Sequence, residues 1–202
     1  MSAMAVYGFK MQAHAQDSLI IVLTGASGVG KTTLVETLAQ EVSPPPLCLH
    51  FDSIGIPTVQ EMLTTYGSTR MWQKAMTEAW IERLVREYHH APLIIFEGQT
   101  DIEFIEAAFS ALRFSRYKII LVSCTTETRK QRLVELRQQP ELANPEMEAW
   151  SQYLSKQAEI KGLPELNTTR MSMSELIVWF KNFIRQELES TASTSIAQSL
   201  AL

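Results

Sequence analysis

The stretch that decides the fold reads Gly25-Ala26-Ser27-Gly28-Val29-Gly30-Lys31-Thr32. It has the pattern of Gly, four residues, Gly, Lys and then Thr, which forms a phosphate-binding loop between a strand and a helix. The glycines let backbone amide groups converge on phosphate oxygens, and the amino end of the helix adds positive potential. We expect Lys31 to reach the outer phosphates of a nucleotide and Thr32 to offer its hydroxyl to magnesium.

The residues before and after this loop have the patterns of the strand and the helix that a phosphate-binding loop connects. An almost wholly apolar run covers residues 18–23, as expected of a strand that is buried on both faces of a parallel sheet. After the loop, apolar residues recur at helical spacing from Lys31 to Val42, and the prolines from Pro44 onward end that helix. A chance glycine-rich turn is the alternative, and the flanking strand and helix argue against it.

Strands and helices alternate along the rest of the chain. Further strands are predicted at 47–51, 93–96, 117–122 and 163–166, and helices at 68–88, 102–112, 129–161 and 174–187. Pro140 and Pro145 interrupt the third of these helices. The alternation predicts an α/β fold, a three-layer sandwich with a mostly parallel five-stranded sheet, whose ligand site lies at the carboxyl ends of the strands.

Composition indicates how many domains the chain forms, which partners its charge disfavours and in which compartment it is expected. The 202 residues are 46% hydrophobic and 20% charged, which is typical of one globular domain. A formal net charge of -4 gives no basic field that would draw the chain onto nucleic acid or an anionic membrane. Cys48 and Cys124 lie in or at the end of apolar runs, which indicates buried thiols in a reducing compartment. Without a secretory signal or a run of about 18 apolar residues, a cytoplasmic protein is expected.

The ends of the chain differ in composition from its middle. We expect residues 1–17 to form a flexible amino-terminal extension and residues 18–188 to form the folded domain. Residues 189–202 are rich in Ser, Thr and Ala and are predicted to form a flexible carboxyl-terminal tail.

Short segments outside the loop also contain candidate site residues. Phe51-Asp52-Ser53 and Phe96-Glu97-Gly98-Gln99 follow predicted strands, and several arginines begin at Arg129. With Gly25 to Thr32, these segments resemble the small P-loop kinases, a group that includes nucleoside monophosphate, gluconate and shikimate kinases. The resemblance spans residues 18–188. It implies transfer of the terminal phosphoryl group of Mg-ATP to a small-molecule or nucleotide acceptor, and a mobile helical lid at about 125–162.

The resemblance implies roles for two carboxylates. Asp52 matches the position where these kinases often place a carboxylate that orients the acceptor hydroxyl, takes its proton, or binds magnesium through water. The alternative is that Asp52 caps the turn from Ser53 to Gly55. Glu97 matches the acidic residue that holds magnesium-bound water, although Glu here replaces the usual Asp, and a solvated strand-end carboxylate is its alternative role.

Arginines of the predicted lid are expected to neutralise charge on the transferring phosphoryl group, again by resemblance. Arg132 is the first choice and Arg129 the second, with Arg137 also in the region; a solvated helix face is the alternative for all three. Arg70 has two readings, pairing with an anionic acceptor or a plain surface position.

Asn167-Thr168-Thr169 lies where related kinases pack the adenine, so Thr168 is predicted to contact the nucleotide, although many relatives have Asp-Thr here. The residues expected to hold ATP are Gly25, Ala26, Ser27, Gly28, Val29, Gly30, Lys31, Thr32, Thr33 and Thr168. The predicted metal ligands are Thr32, Glu97 and Asp52, and the predicted catalytic residues are Lys31, Asp52, Arg132 and Arg129.

Other classes of protein share the phosphate loop. No Asn-Lys-any-Asp motif is present, so GTP is the weaker alternative to ATP. A nucleotide-binding regulatory or assembly module with slow ATP hydrolysis stays possible on the sequence alone. A kinase of nucleic-acid 5′-hydroxyl groups is a third candidate, and the acidic net charge opposes it.

Overall fold

Five parallel strands form one sheet at the centre of the molecule. The computed structural model describes residues 18–199, with side chains through Glu189, so the predicted extension 1–17 and residues 200–202 lie outside the described part. The strand order is β2-β3-β1-β4-β5, and every neighbouring pair is parallel. The strands are β1 (Leu19–Thr24), β2 (Leu47–His50), β3 (Leu93–Gly98), β4 (Tyr117–Ser123) and β5 (Glu165–Asn167).

Helices connect successive strands and cover both faces of the sheet. They are α1 (Lys31–Glu41), α2 (Val59–Tyr66), α3 (Thr69–Arg86), α4 (Ile102–Ala111), α5 (Thr126–Gln131), α6 (Pro145–Lys161) and α7 (Met173–Ser199). A 3-10 turn covers Phe51–Ile54, a π-helical turn continues α5 over Arg132–Leu136, and a second 3-10 turn covers Pro140–Leu142. The α/β three-layer sandwich predicted from the sequence is confirmed, and its sheet is wholly parallel.

The two cores follow from the alternation of side chains along the strands. Ile20, Val22 and Phe96 point to one face, where they pack with residues of α3, α4 and α6. Ile21, Leu23 and their neighbours point to the other face, where they pack with α1 and α7. Because β1 is buried on both faces, it reads as a continuous apolar run.

Strand register determines which residues meet at the carboxyl edge of the sheet. In the β1–β3 ladder Leu23 pairs with Glu97 and Thr24 with Gly98, while His50 pairs with Glu97 in the β2–β3 ladder. The phosphate loop, Glu97 and the turn that contains Asp52 therefore leave the sheet side by side. This is the edge where parallel α/β sheets bind their ligands.

Several elements differ from the sequence-based expectations. Helix α2 was not predicted, although its start carries a capping box in which Thr58 and Glu61 bond each other's backbone amides. The predicted strand 47–51 ends at His50, since Phe51 begins the 3-10 turn. The fifth strand lies at Glu165–Asn167, displaced towards the carboxyl terminus by Pro164. Helix α7 continues to Ser199, so its backbone extends into the predicted tail.

None of the helices between residues 18 and 199 combines the length and the apolar character needed to cross a bilayer.

Close packing of the loop against the sheet makes Gly25 sensitive to substitution. Its φ is +156°, and a Cβ atom added there would overlap the carbonyl oxygen of Val122 on β4. We expect Gly25→Ala to lower the free energy of unfolding by about 3 kcal/mol or more, because both the backbone angle and the overlap are unfavourable. Urea denaturation measures the loss.

Gly67→Ala is the matched control for this substitution. Gly67 also has a positive φ, +80°, but an added Cβ would meet no atom within 4 Å. Its cost should be about 1 kcal/mol, from the left-handed conformation alone. Equal losses in the two variants would contradict the packing argument.

Candidate active site

Two residues of the phosphate loop, Gly28 and Gly30, have positive φ angles that favour glycine. Gly28 has a φ of +83°, and an added Cβ would lie 2.8 Å from the Cγ atom of Leu133 in the π-helical turn. Gly30 precedes α1 in a left-handed conformation, and its carbonyl accepts the first helical hydrogen bond, from Leu34. The loop is thus held against the base of the predicted lid, and the amino end of α1 faces the open side of the loop.

Lys31 is almost completely buried beneath the loop. Its Nζ atom donates to the carbonyl oxygens of Gly25 at 2.8 Å and of Ala26 at 3.1 Å. Burial lowers the pKa of Lys31 to about 8, against the opposing effect of the Glu97 and Asp52 carboxylates. The ammonium group is therefore mostly charged at neutral pH and has only neutral oxygens as direct partners, which suits it to attract a phosphate.

Thr32, Glu97 and His50 form a hydrogen-bonded group at the edge of the sheet. The hydroxyl of Thr32 donates to Oε1 of Glu97 at 3.1 Å, and Nδ1 of His50 donates to the same oxygen at 2.8 Å. A hydroxyl and a carboxylate are the protein ligands that magnesium takes beside phosphate oxygens and water. The two adjacent oxygen donors of Thr32 and Glu97 fit a metal that would take its remaining ligands from a nucleotide and water.

Asp52 lies in the 3-10 turn that follows β2. The turn is anchored from below, because Phe51 packs on Trp72 and Phe96 and its carbonyl accepts a hydrogen bond from Nε1 of Trp80 at 3.1 Å. Burial raises the pKa of Asp52, and the Glu97 charge raises it further, against the opposing charges of Lys31, Arg137 and His50. The carboxylate is consequently a stronger base than an exposed aspartate.

Arg132 connects the phosphate loop to the end of β5. Its NH1 donates to the carbonyl oxygen of Val29 at 3.1 Å and to the hydroxyl of Thr168 at 2.7 Å, and its NH2 donates to the carbonyl oxygen of Thr168 at 3.1 Å. Thr168 also lies 2.8 Å from the carbonyl oxygen of Val29. The structure therefore brings together the loop and Thr168, two of the predicted nucleotide contacts, through Arg132.

Arg129 is buried beside the phosphate loop, where a Cβ atom added at Gly28 would lie 3.2 Å from its Cγ atom. Its side chain is 1% exposed, and NH2 donates to Oε2 of Glu148 on α6 at 2.6 Å. Glu148 also accepts from the Thr126 hydroxyl at 2.9 Å. This arginine joins α5 to the long helix of the predicted lid.

Arg137 ends the π-helical turn with an exposed side chain. Its charge lowers the pKa of both Lys31 and Asp52. Thr33 lies in the first turn of α1, exposed beside Thr32.

Two features of the site were not predicted from the sequence. His50, which contacts Glu97, was not singled out, although a polar residue that closes an apolar strand at the carboxyl edge is a usable signal. The different surroundings of Arg129 and Arg132 could not be predicted either, because the π-helical turn changes which residues share a face.

A separate surface groove runs between the start of α5 and α6. Thr126, Glu148, Gln152 and Lys156 line it, and no residue of the phosphate loop does. The groove is therefore not the place where phosphate chemistry is expected, since the loop amides, Lys31 and the strand-end carboxylates converge elsewhere.

A wholly parallel five-stranded sheet with helices on both faces and this loop after β1 is the fold of the small P-loop kinases. The sequence model of the AAA domain family matches residues 21–151, more than half of the chain, and the protein belongs to that family. Among curated proteins, none matches the sequence.

Solved structures share the fold at low sequence identity. A shikimate kinase from Acinetobacter baumannii, in complex with shikimate, has a TM-score of 0.56 and 16% identity, covering 85% of this chain and 95% of its own. Deoxyadenosine kinase from M. mycoides, with bound dATP, has a TM-score of 0.56 and 13% identity, covering 82% and 98%. The tunicamycin resistance protein of Deinococcus radiodurans has a TM-score of 0.58 and 16% identity, covering 83% and 95%.

Unfolding measurements should distinguish the buried Arg129 from the exposed Arg137. We expect Arg129→Lys to lower the free energy of unfolding by about 1–3 kcal/mol, because lysine cannot reproduce the guanidinium contact to Glu148 inside the protein. Thermal or urea unfolding provides the measurement. Arg137→Lys is the control and should change stability by less than about 0.5 kcal/mol, since its side chain is exposed. The reverse order would contradict the assignment of Arg129 to the fold.

Proposed function

We propose that the protein is an ATP-dependent phosphotransferase that moves the terminal phosphoryl group of Mg-ATP to a hydroxyl of a small-molecule or nucleotide acceptor. One observation carries the proposal. The hydroxyl of Thr32, directly after the loop lysine, donates to Glu97 at the end of β3, beside the turn after β2 that contains Asp52, so the phosphate loop, a candidate metal ligand and a candidate base lie at one edge of the sheet. Kinases among the structural neighbours support the same class of reaction.

The phosphates of ATP would be held by the loop from Gly25 to Thr32, with Thr33 following in the helix. Thr32 and Glu97 would hold magnesium, with Asp52 reaching it through water, and this ion supplies charge neutralisation to the phosphates. His50 donates to Glu97 and so leaves the second carboxylate oxygen, Oε2, without this constraint. The adenine end would lie near Thr168, which Arg132 already ties to the loop.

Asp52, Lys31 and Arg137 would act directly in the transfer. Asp52 would accept the proton of the acceptor hydroxyl while the hydroxyl oxygen bonds to phosphorus and the bridging oxygen of ADP leaves. Lys31 stabilises charge on the oxygens of the transferring group from the loop side, and Arg137 does so from the lid side. In this assignment Arg132 positions the loop and Arg129 holds the lid helix, so Arg137 takes the role that the sequence resemblance gave to those two arginines.

A cytoplasmic location remains a prediction. It is supported by Cys48 and Cys124, which are both free thiols in the structure.

The proposed activity is tested first by screening hydroxyl-bearing metabolites, nucleosides and a 5′-hydroxyl oligonucleotide for ADP release from Mg-ATP. A phosphotransferase shows fast ADP formation that depends on one acceptor. Slow ADP formation that no acceptor changes would instead identify a nucleotide-binding module, and a response to the oligonucleotide alone would identify a nucleic-acid kinase. Either of these two results overturns the proposal.

Lys31 is the residue whose loss should stop the reaction. We expect Lys31→Ala to lower acceptor-dependent ADP formation at least about 100-fold, because a buried positive charge that stabilises the transferring phosphoryl group is removed. The measurement is the steady-state rate with saturating acceptor. Lys156→Ala, in an exposed position on α6, is the control and should retain full activity. Unchanged turnover in a folded Lys31→Ala protein would be incompatible with the mechanism.

Asp52 is expected to affect transfer more than nucleotide binding. Asp52→Asn should lower the turnover number about 10²–10⁴-fold, because the amide cannot accept the acceptor proton. The dissociation constant of Mg-ADP should change less than about threefold in the same variant, as measured by calorimetry.

Glu36→Gln on the exposed side of α1 is the control for charge alone, and both quantities should remain unchanged in it. If Asp52→Asn instead weakens Mg-ADP binding and leaves the turnover number intact, Asp52 is a metal residue and its role as the base is wrong.

A further inference from the structure

Exposed apolar side chains concentrate in the segment that follows Asp52. Of the eleven large apolar residues that are exposed in the described part of the chain, five lie between residues 54 and 71. They are Ile54 (39% exposed), Ile56 (58%), Val59 (60%), Leu63 (46%) and Met71 (50%), and together they are called the apolar acceptor surface below. Such a concentration on one segment is typical of a binding surface.

The apolar acceptor surface is continuous with the turn that holds the candidate base. Ile54 is the last residue of the 3-10 turn that contains Asp52, and Ile56 follows two residues later. Val59 and Leu63 are four residues apart on α2 and so share a face, whereas Met62 is buried in the core. A molecule whose hydroxyl reaches Asp52 would therefore have this surface beside it.

The segment that carries most of the apolar acceptor surface contains no positively charged residue before Arg70. The sequence has no Lys or Arg between Lys31 and Arg70, while Asp52 and Glu61 both lie in that interval. Arg70 itself is bound to Asp101, with NH1 3.0 Å from Oδ2, and its guanidinium lies 4.6 Å from the centre of the Phe104 ring. Lys74, one turn further along α3, pairs with Glu78 at 3.8 Å.

The partner of Arg70 is firmly held. Asp101 is fully buried, caps α4 through the amide of Glu103 at 3.0 Å, and accepts hydrogen bonds from Tyr153 and Gln157 of α6. A carboxylate with no access to water needs its cation, so Asp101 competes with any anionic acceptor for Arg70. These contacts favour a structural role for Arg70 over a contact with the acceptor.

Resting on the proposed function, we propose that the acceptor is an uncharged alcohol with an apolar body, which packs on the apolar acceptor surface and presents its hydroxyl to Asp52. Apolar contact supplies its affinity, since each buried methylene group is favourable. A carboxylate or phosphate on the body of the acceptor would meet Asp52 and Glu61 in a segment without Lys or Arg, while Arg137 is assigned to the transferring phosphoryl group. This charge distribution disfavours shikimate-like acids and nucleoside monophosphates as acceptors.

A pair of dyes with the same rings tests the surface without any turnover. N-phenyl-1-naphthylamine is uncharged, and 1-anilinonaphthalene-8-sulfonate carries one negative charge on the same aromatic body. With the full chain and Mg-ADP present, fluorescence titration should show that the uncharged dye binds at least about tenfold more tightly. Tighter binding of the sulfonate, or no saturable binding of the uncharged dye, overturns the proposal.

Variants locate the binding. Val59→Ser and Leu63→Ser should each weaken binding of the uncharged dye about tenfold, because apolar contact area is lost. Val178→Ser is the matched control, since Val178 is similarly exposed, 59% against 60% for Val59, on α7, which packs on the opposite face of the sheet. Circular dichroism verifies that all three variants are folded. Equal effects of Val59→Ser and Val178→Ser, or no effect of either acceptor-side variant, contradict the proposed location.

The turnover screen separates this proposal from the proposed function. Neutral alcohols with apolar bodies should give the fastest ADP release, and Val59→Ser should raise their KM while leaving the turnover number within about twofold. Fastest release with a carboxylate- or phosphate-bearing acceptor overturns the acceptor class and leaves the kinase activity standing. If no acceptor raises ADP release, the proposed function itself fails, and the acceptor proposal with it, whatever the dyes show.

Discussion

The burial of a single ammonium group is the constraint on which the rest of the site depends. Lys31 would be costly to bury without compensation, and the compensation comes from two loop carbonyls and from carboxylates at the ends of β3 and β2. The loop conformation, the position of Glu97 and the turn that contains Asp52 therefore stabilise one another. This mutual dependence explains why negative charge gathers at the edge where a negatively charged ligand is expected to bind, since the two carboxylates match the cation that attracts the ligand.

How far the sequence predicts this arrangement depends on the range of the interaction involved. The loop from Gly25 to Thr32 could be identified directly, because its geometry is encoded by adjacent residues. Asp52 and Glu97 could be placed at one edge, because the carboxyl ends of parallel strands coincide. The contact between His50 and Glu97 needed the knowledge that β2 and β3 are neighbours, which no local pattern supplies. Helix α2 was overlooked although Thr58 and Glu61 provide a recognisable start signal.

The contacts of the arginines could not be predicted from helical periodicity. Arg129 and Arg132 are three residues apart and would share a face of a regular helix, yet the structure points one at α6 and the other at Thr168. The π-helical turn from Arg132 to Leu136 alters the angular spacing of these residues and of Arg137, which follows it. Burial of Arg129 and the pairing of Arg70 with Asp101 likewise depend on helices that are distant in sequence, so residue type alone could not distinguish structural from functional arginines.

The bridge from Val29 through Arg132 to Thr168 has a thermodynamic consequence. One guanidinium holds both the backbone of the phosphate loop and the segment after β5, so the two ends of the proposed nucleotide site share a contact. A ligand group that draws Arg132 away from Thr168 must also change its grip on the loop. Occupancy at the base end and tightness at the phosphate end are then linked, and such linkage acts equally in both directions.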